Sequence, residues 1–276
     1  MPIKRRRYMG ETKYFIGKDA NTLYETLGKK RSKELESLAY NTANEIFDFF
    51  YAAKYSNKLD YIPILQYWQD ELKIKQIEQM LKVGTIDKIH FDFTGPLKKD
   101  VTNIFKLDSN TKVLCEGTDF KISVEGKCKD FKTASANQKH DYPTIKQMKV
   151  GRPAIIQSVI NSWLDVVQDF CKPDMTKIDD LQYQFLLRLV DACNKNSGKA
   201  IVLYQLFYEK ENALAEKWID NLRTWKSIIN PNERLSFFVQ KIQIAPIDAS
   251  VSTEELLQKV KTDRAVAFEK DEIIEI

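Results

Sequence analysis

Apolar positions change their period twice along this chain. A helical period first appears over residues 33–54, where Leu35, Leu38, Ala39, Ile46, Phe49, Phe50 and Ala53 share one face and Ser32 can cap the start. Residues 55–60 read as a loop. A second helix is predicted from Ile62 to Lys82, with Leu65, Trp68, Leu72, Ile77 and Leu81 inward and Gly84 beyond its end. The period then shortens to two. Ile89, Phe91 and Phe93 alternate with polar residues, which predicts a strand that Gly95-Pro96 stops. Residues 112–115 predict a second strand. Residues 119–124 and 127–133 predict two more, joined by Glu125-Gly126 in a tight hairpin.

From Pro153 the helical period returns. Ile156, Val159, Ile160, Trp163, Val166, Val167 and Phe170 make one stripe, and Phe185, Leu189 and Cys193 mark a helix over 180–195. Tyr204, Phe207, Tyr208, Leu214, Ala215, Trp218, Leu222 and Trp225 predict one long helix or a broken pair, ended by Asn230-Pro231. Residues 235–244 alternate and predict a late strand. Ser252 and Glu255 have the spacing of a capping box for a short last helix. The resulting expectation is an α+β fold, mainly helical, with a small antiparallel sheet at about 87–133 flanked by helices. Residues 1–31 are expected as a basic arm and 32–276 as one globular body.

Composition narrows the function classes. With 276 residues, 43% hydrophobic and 30% charged, the chain can bury a sizeable core and does not read as disordered. No run approaches the ~18 apolar residues of a membrane helix. The N-terminus has no apolar stretch behind its charges, so no secretory leader is predicted. Four cysteines without a CxxC pair and only two histidines argue against a zinc site and for reduced thiols in a cytoplasmic setting.

Charge is uneven. Residues 1–33 carry ten Lys or Arg against three acids, although the whole chain has a net charge of only +4. Lys4, Arg5, Arg6 and Arg7, then Lys29, Lys30 and Arg31, are candidate phosphate contacts for RNA or DNA, with Tyr8 and Tyr14 near enough to stack on bases. The same Lys4–Arg7 run also fits a nuclear-import signal. Arg152, before Pro153, stands at a helix start that can hold a phosphate. The acidic stretch containing Glu269, Asp271, Glu272 and Glu275 reads as a solvated end.

The predicted hairpin carries the chemistry. With Glu125-Gly126 as its turn, Asp119, Asp130 and Lys132 project from one face. Two carboxylates at that separation can share Mg²⁺, and a neighbouring lysine can activate water against a phosphodiester. Gly-x-Asp on one strand, then Asp-x-Lys-Thr on the next, resembles the PD-(D/E)XK nuclease superfamily, especially its RecB-like exonuclease branch. The resemblance implies Asp119 and Asp130 as metal ligands and Lys132 as the catalytic lysine. It implies Gln157 in a Gln-x-x-x-Tyr motif, where Asn161 stands in the Tyr position, and an upstream acid such as Glu71 or Glu78. It covers residues 116–161. The function it implies is a nucleic-acid-binding protein with Mg²⁺-dependent nuclease activity. Two alternatives stand beside it. One is a non-enzymatic coat or nucleoprotein that coats RNA or DNA and assembles as a homo-oligomer. The other is a helical protein-interaction module.

Overall fold

The computed structural model describes residues 12–16, 61–91, 112–128, 143–193, 198–210, 213–246, 250–252, 255, 259 and 266–276. The strands are β1 (Lys13–Ile16), β2 (Lys88–Phe91), β3 (Lys112–Glu116), β4 (Phe120–Cys128), β5 (Lys199–Tyr208), β6 (Leu235–Ile244) and β7 (Phe268–Glu275). They form one seven-stranded sheet in chain order. β1 runs parallel to β2, and β2, β3 and β4 form an antiparallel meander. β4, β5 and β6 are mutually parallel, and β7 returns antiparallel at the edge. The helices are α1 (Tyr61–Gln69), α2 (Glu71–Met80), α3 (Ile145–Met148), α4 (Pro153–Val167), α5 (Tyr183–Ala192) and α6 (Ala213–Ile229).

Two cores lie on the two faces of this sheet. On one face, Phe120, Ile122, Val124, Ile201, Leu203 and Phe238 pack with Tyr67, Trp68, Ile74 and Ile77 of α1 and α2. On the other, Ala200, Val202, Tyr204, Phe237 and Val239 pack with the apolar stripes of α4, α5 and α6. The described chain is therefore a three-layer α/β/α arrangement. The expectation of a mainly helical protein with a small sheet is corrected.

The physical reason lies in β5. Its sequence, KAIVLYQLFY, is buried at eight successive positions. A parallel strand covered on both faces needs a continuous apolar run. Such a run meets the i, i+3, i+4 test of a helix as readily as the strand test. Tyr204, Phe207 and Tyr208 therefore mimic the start of a helix that begins only at Ala213. The acidic stretch is also corrected: it is β7, whose outer edge faces water and so reads as polar. The helix expected over 62–82 is two helices. They meet at Asp70, whose side chain accepts from the Leu72 N–H at 2.9 Å. Ser252 and Glu255 do cap each other, as their spacing implies. The helix expected over 33–54 lies outside the described residues. Four residues of the expected arm form β1.

A polar network pins α1 and α2 to the far edge of the sheet. Tyr67 Oη and Lys73 Nζ donate to Asp271 Oδ2 at 3.0 and 2.9 Å. Gln240 Nε2 reaches Asp271 Oδ1 at 2.5 Å, and Gln205 links Gln240 to Trp68 Nε1 through two 2.8 Å bonds. Burial, and then the Asp271 charge, push the Tyr67 hydroxyl pKa well up, so it stays a donor. Asp271→Ala is expected to cost about 3 kcal/mol, because it strands three buried or half-buried donors. A thermal melt beside wild type checks this; a loss under about 1 kcal/mol would show that the network contributes little.

A candidate site on the polar face of β4

β4 alternates strictly. Phe120, Ile122 and Val124 enter the α1/α2 core, so Lys121, Ser123, Glu125 and Lys127 point to the opposite face. On β5 and β6 that same face is apolar and covered by helices. On β2, β3 and β4 it is largely polar, carrying Lys88, His90, Glu116, Lys121, Ser123, Glu125 and Lys127.

At the C-terminal half of β4 the polar groups are buried. Glu125 has no exposed surface and Arg188 has 1%. Lys127 Nζ lies 2.9 Å from Glu125 Oε1, and Gln184 Nε2 donates to the same oxygen at 2.8 Å. Gln184 Oε1 in turn accepts from Lys127 Nζ at 3.1 Å. Arg188 Nε sits 3.1 Å from Glu125 Oε2, an ion pair without hydrogen-bond alignment, and Arg188 Nη1 donates to Asp191 at 2.7 Å. The Trp218 ring lies 6.0 Å from Lys127 Nζ. α5 builds its side of this cluster by spacing. Gln184, Arg188 and Asp191 recur at i, i+4 and i+7, one helical face, and that face meets β4.

The N-terminal half of the polar face is half-exposed. In one row across the sheet, Lys88 and Lys121 flank Glu116. Lys121 Nζ lies 2.7 Å from Glu116 Oε1, while Lys88 Nζ and His90 Nε2 approach Oε2 at 3.7 and 3.8 Å. The His90 imidazole beside it, followed by Lys121, holds the Glu116 carboxyl well below the usual carboxylate range. A depressed folded value means stability that is present above the unfolded value, about 4.5, and is lost as pH falls through the folded one. Wild type should therefore melt above Glu116→Gln at pH 7, and the gap should shrink as pH drops below about 4.5. A gap that widens on acidification would contradict this.

The hairpin expected at Glu125-Gly126 does not exist. Both residues are interior to β4, paired with Tyr204 and Gln205 of β5. The turn lies earlier, at Gly117-Thr118-Asp119, closed by a 3.1 Å bond from Gly117 N to Phe120 O. A Cβ at Gly117 would fall 2.2 Å from the Phe120 ring, so glycine is required there. Glu125, with its charge paired inside the fold, has no reason to seek a turn. That hairpin is what puts Asp119 and Asp130 on one face, and Asp130 lies outside the described residues. Asp119 is exposed before the start of β4, and Cys128 ends the strand about 30 Å away at ~3.3 Å per residue.

Asp130, Lys132, Lys4, Arg5, Arg6, Arg7, Lys29, Lys30 and Arg31 lie outside the described residues. Gln157 donates to Asn161 at 2.8 Å along the surface of α4. Arg152 is exposed at the start of α4 and makes no side-chain cap. Glu78 accepts from the Ile86 N–H at 2.7 Å, and Glu71 is exposed in the first turn of α2. The residues that do converge, Glu125, Lys127, Gln184, Arg188 and Asp191, are not among the sequence-based candidates. Their signal is three polar residues at helical spacing inside the otherwise apolar stretch 183–192.

The described residues do not form a ready seat for Mg²⁺. Two acids face two bases, both oxygens of Glu125 are engaged, and no three His, Cys, Asp or Glu converge among the described residues. No helix among them is long and apolar enough to cross a membrane. No family model, no curated protein and no solved structure matches the chain.

Proposed function

We propose that this chain binds nucleic acid and cleaves phosphodiesters, and that its acid-x-lysine pair is Glu125-Gly126-Lys127. One observation carries the reading. A carboxylate and an ammonium, two residues apart on a central strand, meet across 2.9 Å, and a glutamine from a later helix bonds to both. Those are the residue types that the PD-(D/E)XK resemblance calls for, carried by different residues. The largely covered ammonium of Lys127 would stabilise charge developing on a phosphoryl oxygen, in surroundings where electrostatic contacts gain strength. Dependence on Mg²⁺ enters the proposal only through the resemblance, and no step is assigned to the metal.

Labelled single- and double-stranded DNA and RNA, incubated with Mg²⁺ or Mn²⁺, test the reading. Wild type should cut, and Lys127→Met should not, while Asp119→Ala should cut normally. If Asp130→Ala abolishes cutting and Lys127→Met does not, the pair is Asp130-x-Lys132 instead. A wild type that cuts nothing overturns the proposal.

A second reading rests on the neutrality of the cluster. Two acids and two bases that compensate one another are also what a purely internal ion network looks like. On that reading the chain is an interaction module or a coat protein, and the Lys127→Met variant loses stability without losing any activity.

A further inference from the structure

We infer that Lys88 and Lys121, together with the buried hydroxyl of Ser123, bind a phosphate of the nucleic-acid backbone next to the one cut at Glu125 and Lys127. The inference rests on the proposed function for the identity of the ligand and on three separate observations for the site. The first is charge. Glu116 is a single carboxylate with two lysines beside it, Lys88 and Lys121, so the group has spare positive charge. Two of its contacts, to Lys88 and His90, are at 3.7 and 3.8 Å, the long end of ion pairing, whereas Lys121 is held at 2.7 Å. A phosphate can recruit the half-exposed Lys88 without breaking the tight pair.

The second observation is Ser123. The residue is 1% exposed, and its hydroxyl has no hydrogen-bond partner among the described residues. Buried polar groups without partners are rare and point to an acceptor from outside. Ser123 shares a row with His90, across Leu114, and stands one step along β4 from Lys121. It also stands one step from Glu125. The third observation is that spacing. Successive same-face positions on a strand are about 6.7 Å apart, so one backbone lying along β4 can present neighbouring phosphates to the two groups. The contact reads backbone charge and no base, so binding should be independent of sequence and sensitive to salt. Either a free single strand or one strand of a duplex supplies this chemistry.

Fluorescence anisotropy of a labelled 12-nucleotide single strand and of the matching duplex, without divalent ions, tests the site. Salt is titrated for wild type and three variants of the full chain, each first shown by circular dichroism to melt cooperatively. Lys88→Gln should weaken binding several-fold at low salt and reduce the salt slope by about 0.7 to 0.9. Ser123→Ala, which removes a neutral donor, should weaken it several-fold at every salt concentration with no change of slope. Glu116→Gln should tighten it, because the carboxylate that the basic side chains surround becomes neutral. The arm that binds more tightly, single strand or duplex, identifies the source of the backbone.

Weaker binding by Glu116→Gln, an unchanged slope for Lys88→Gln, or wild-type affinity for Ser123→Ala each overturns the inference. No binding by wild type overturns it as well. If the variants behave as stated but nothing is ever cut, the phosphate site stands and the cleavage reading falls.

Discussion

Arg188→Ala should lower the stability of the fold by about 3–5 kcal/mol, the largest loss expected from any single change to the polar groups described above. The side chain is buried and ion-pairs with Glu125 and Asp191 at once. Removing it leaves two carboxylates inside the protein with one base, Lys127, between the sheet and α5. Those uncompensated charges dominate the penalty, and the missing hydrogen bond to Asp191 is the smaller part of it. For a chain of this length the melting temperature should fall by roughly 6–20 °C. Urea unfolding followed by circular dichroism measures the loss directly. A change below about 1 kcal/mol would mean that the cluster is hydrated in solution and that its burial contributes little. Arg188→Lys should recover part of the loss, since charge is restored without the guanidinium fork.

Lys127→Met is expected to have the largest effect on activity, a fall in cleavage of about 10²–10³-fold, the range for removing one positioned donor from a developing oxyanion. Methionine nearly matches the length of the lysine stem, although it loses the ammonium that faces the Trp218 ring at 6.0 Å. Glu125 keeps Arg188 and Gln184 as partners, so the fold should survive the change. Affinity for an oligonucleotide should change far less than the cleavage rate, because this ammonium lies inside the cluster and the phosphate-binding group at Lys88, Lys121 and Ser123 is untouched. Single-turnover cleavage at saturating protein separates the two quantities. An equal loss of binding and cleavage would make Lys127 a binding residue only.

Some of this fold is legible in the sequence, and the rest is hidden for identifiable reasons. The stripe from Ile156 to Val167 is a helix because its period is unambiguous and Pro153 fixes its start. β2 alternates cleanly, and β6 alternates at its two ends around a run buried at four successive positions, so both read as strands. β5 escapes because a strand buried on both faces has no period at all. β7 escapes because an edge strand is polar where it meets water. The site is misplaced for a related reason: Glu125-Gly126 has turn composition, and nothing local says that Arg188 and Gln184, some sixty residues away, will fold over it. Long-range pairing of charge is the one feature that neither propensity nor periodicity encodes. The residue types of the site are nonetheless legible: an acid and a lysine two positions apart on a strand, and a glutamine on a following helix.

Glu125→Gln is the most direct test of the central claim, that the acid-x-lysine pair on β4 cuts phosphodiesters. The substitution preserves shape and leaves one amide oxygen, which can accept from Lys127 or from Arg188 but not from both, so the variant should be less stable than wild type while still melting cooperatively. The measurement is single-turnover cleavage of a labelled oligonucleotide by this variant beside wild type, on samples whose melts have been recorded. The account expects a folded protein that binds the oligonucleotide and does not cut it. A folded Glu125→Gln variant that cuts at the wild-type rate would contradict the account.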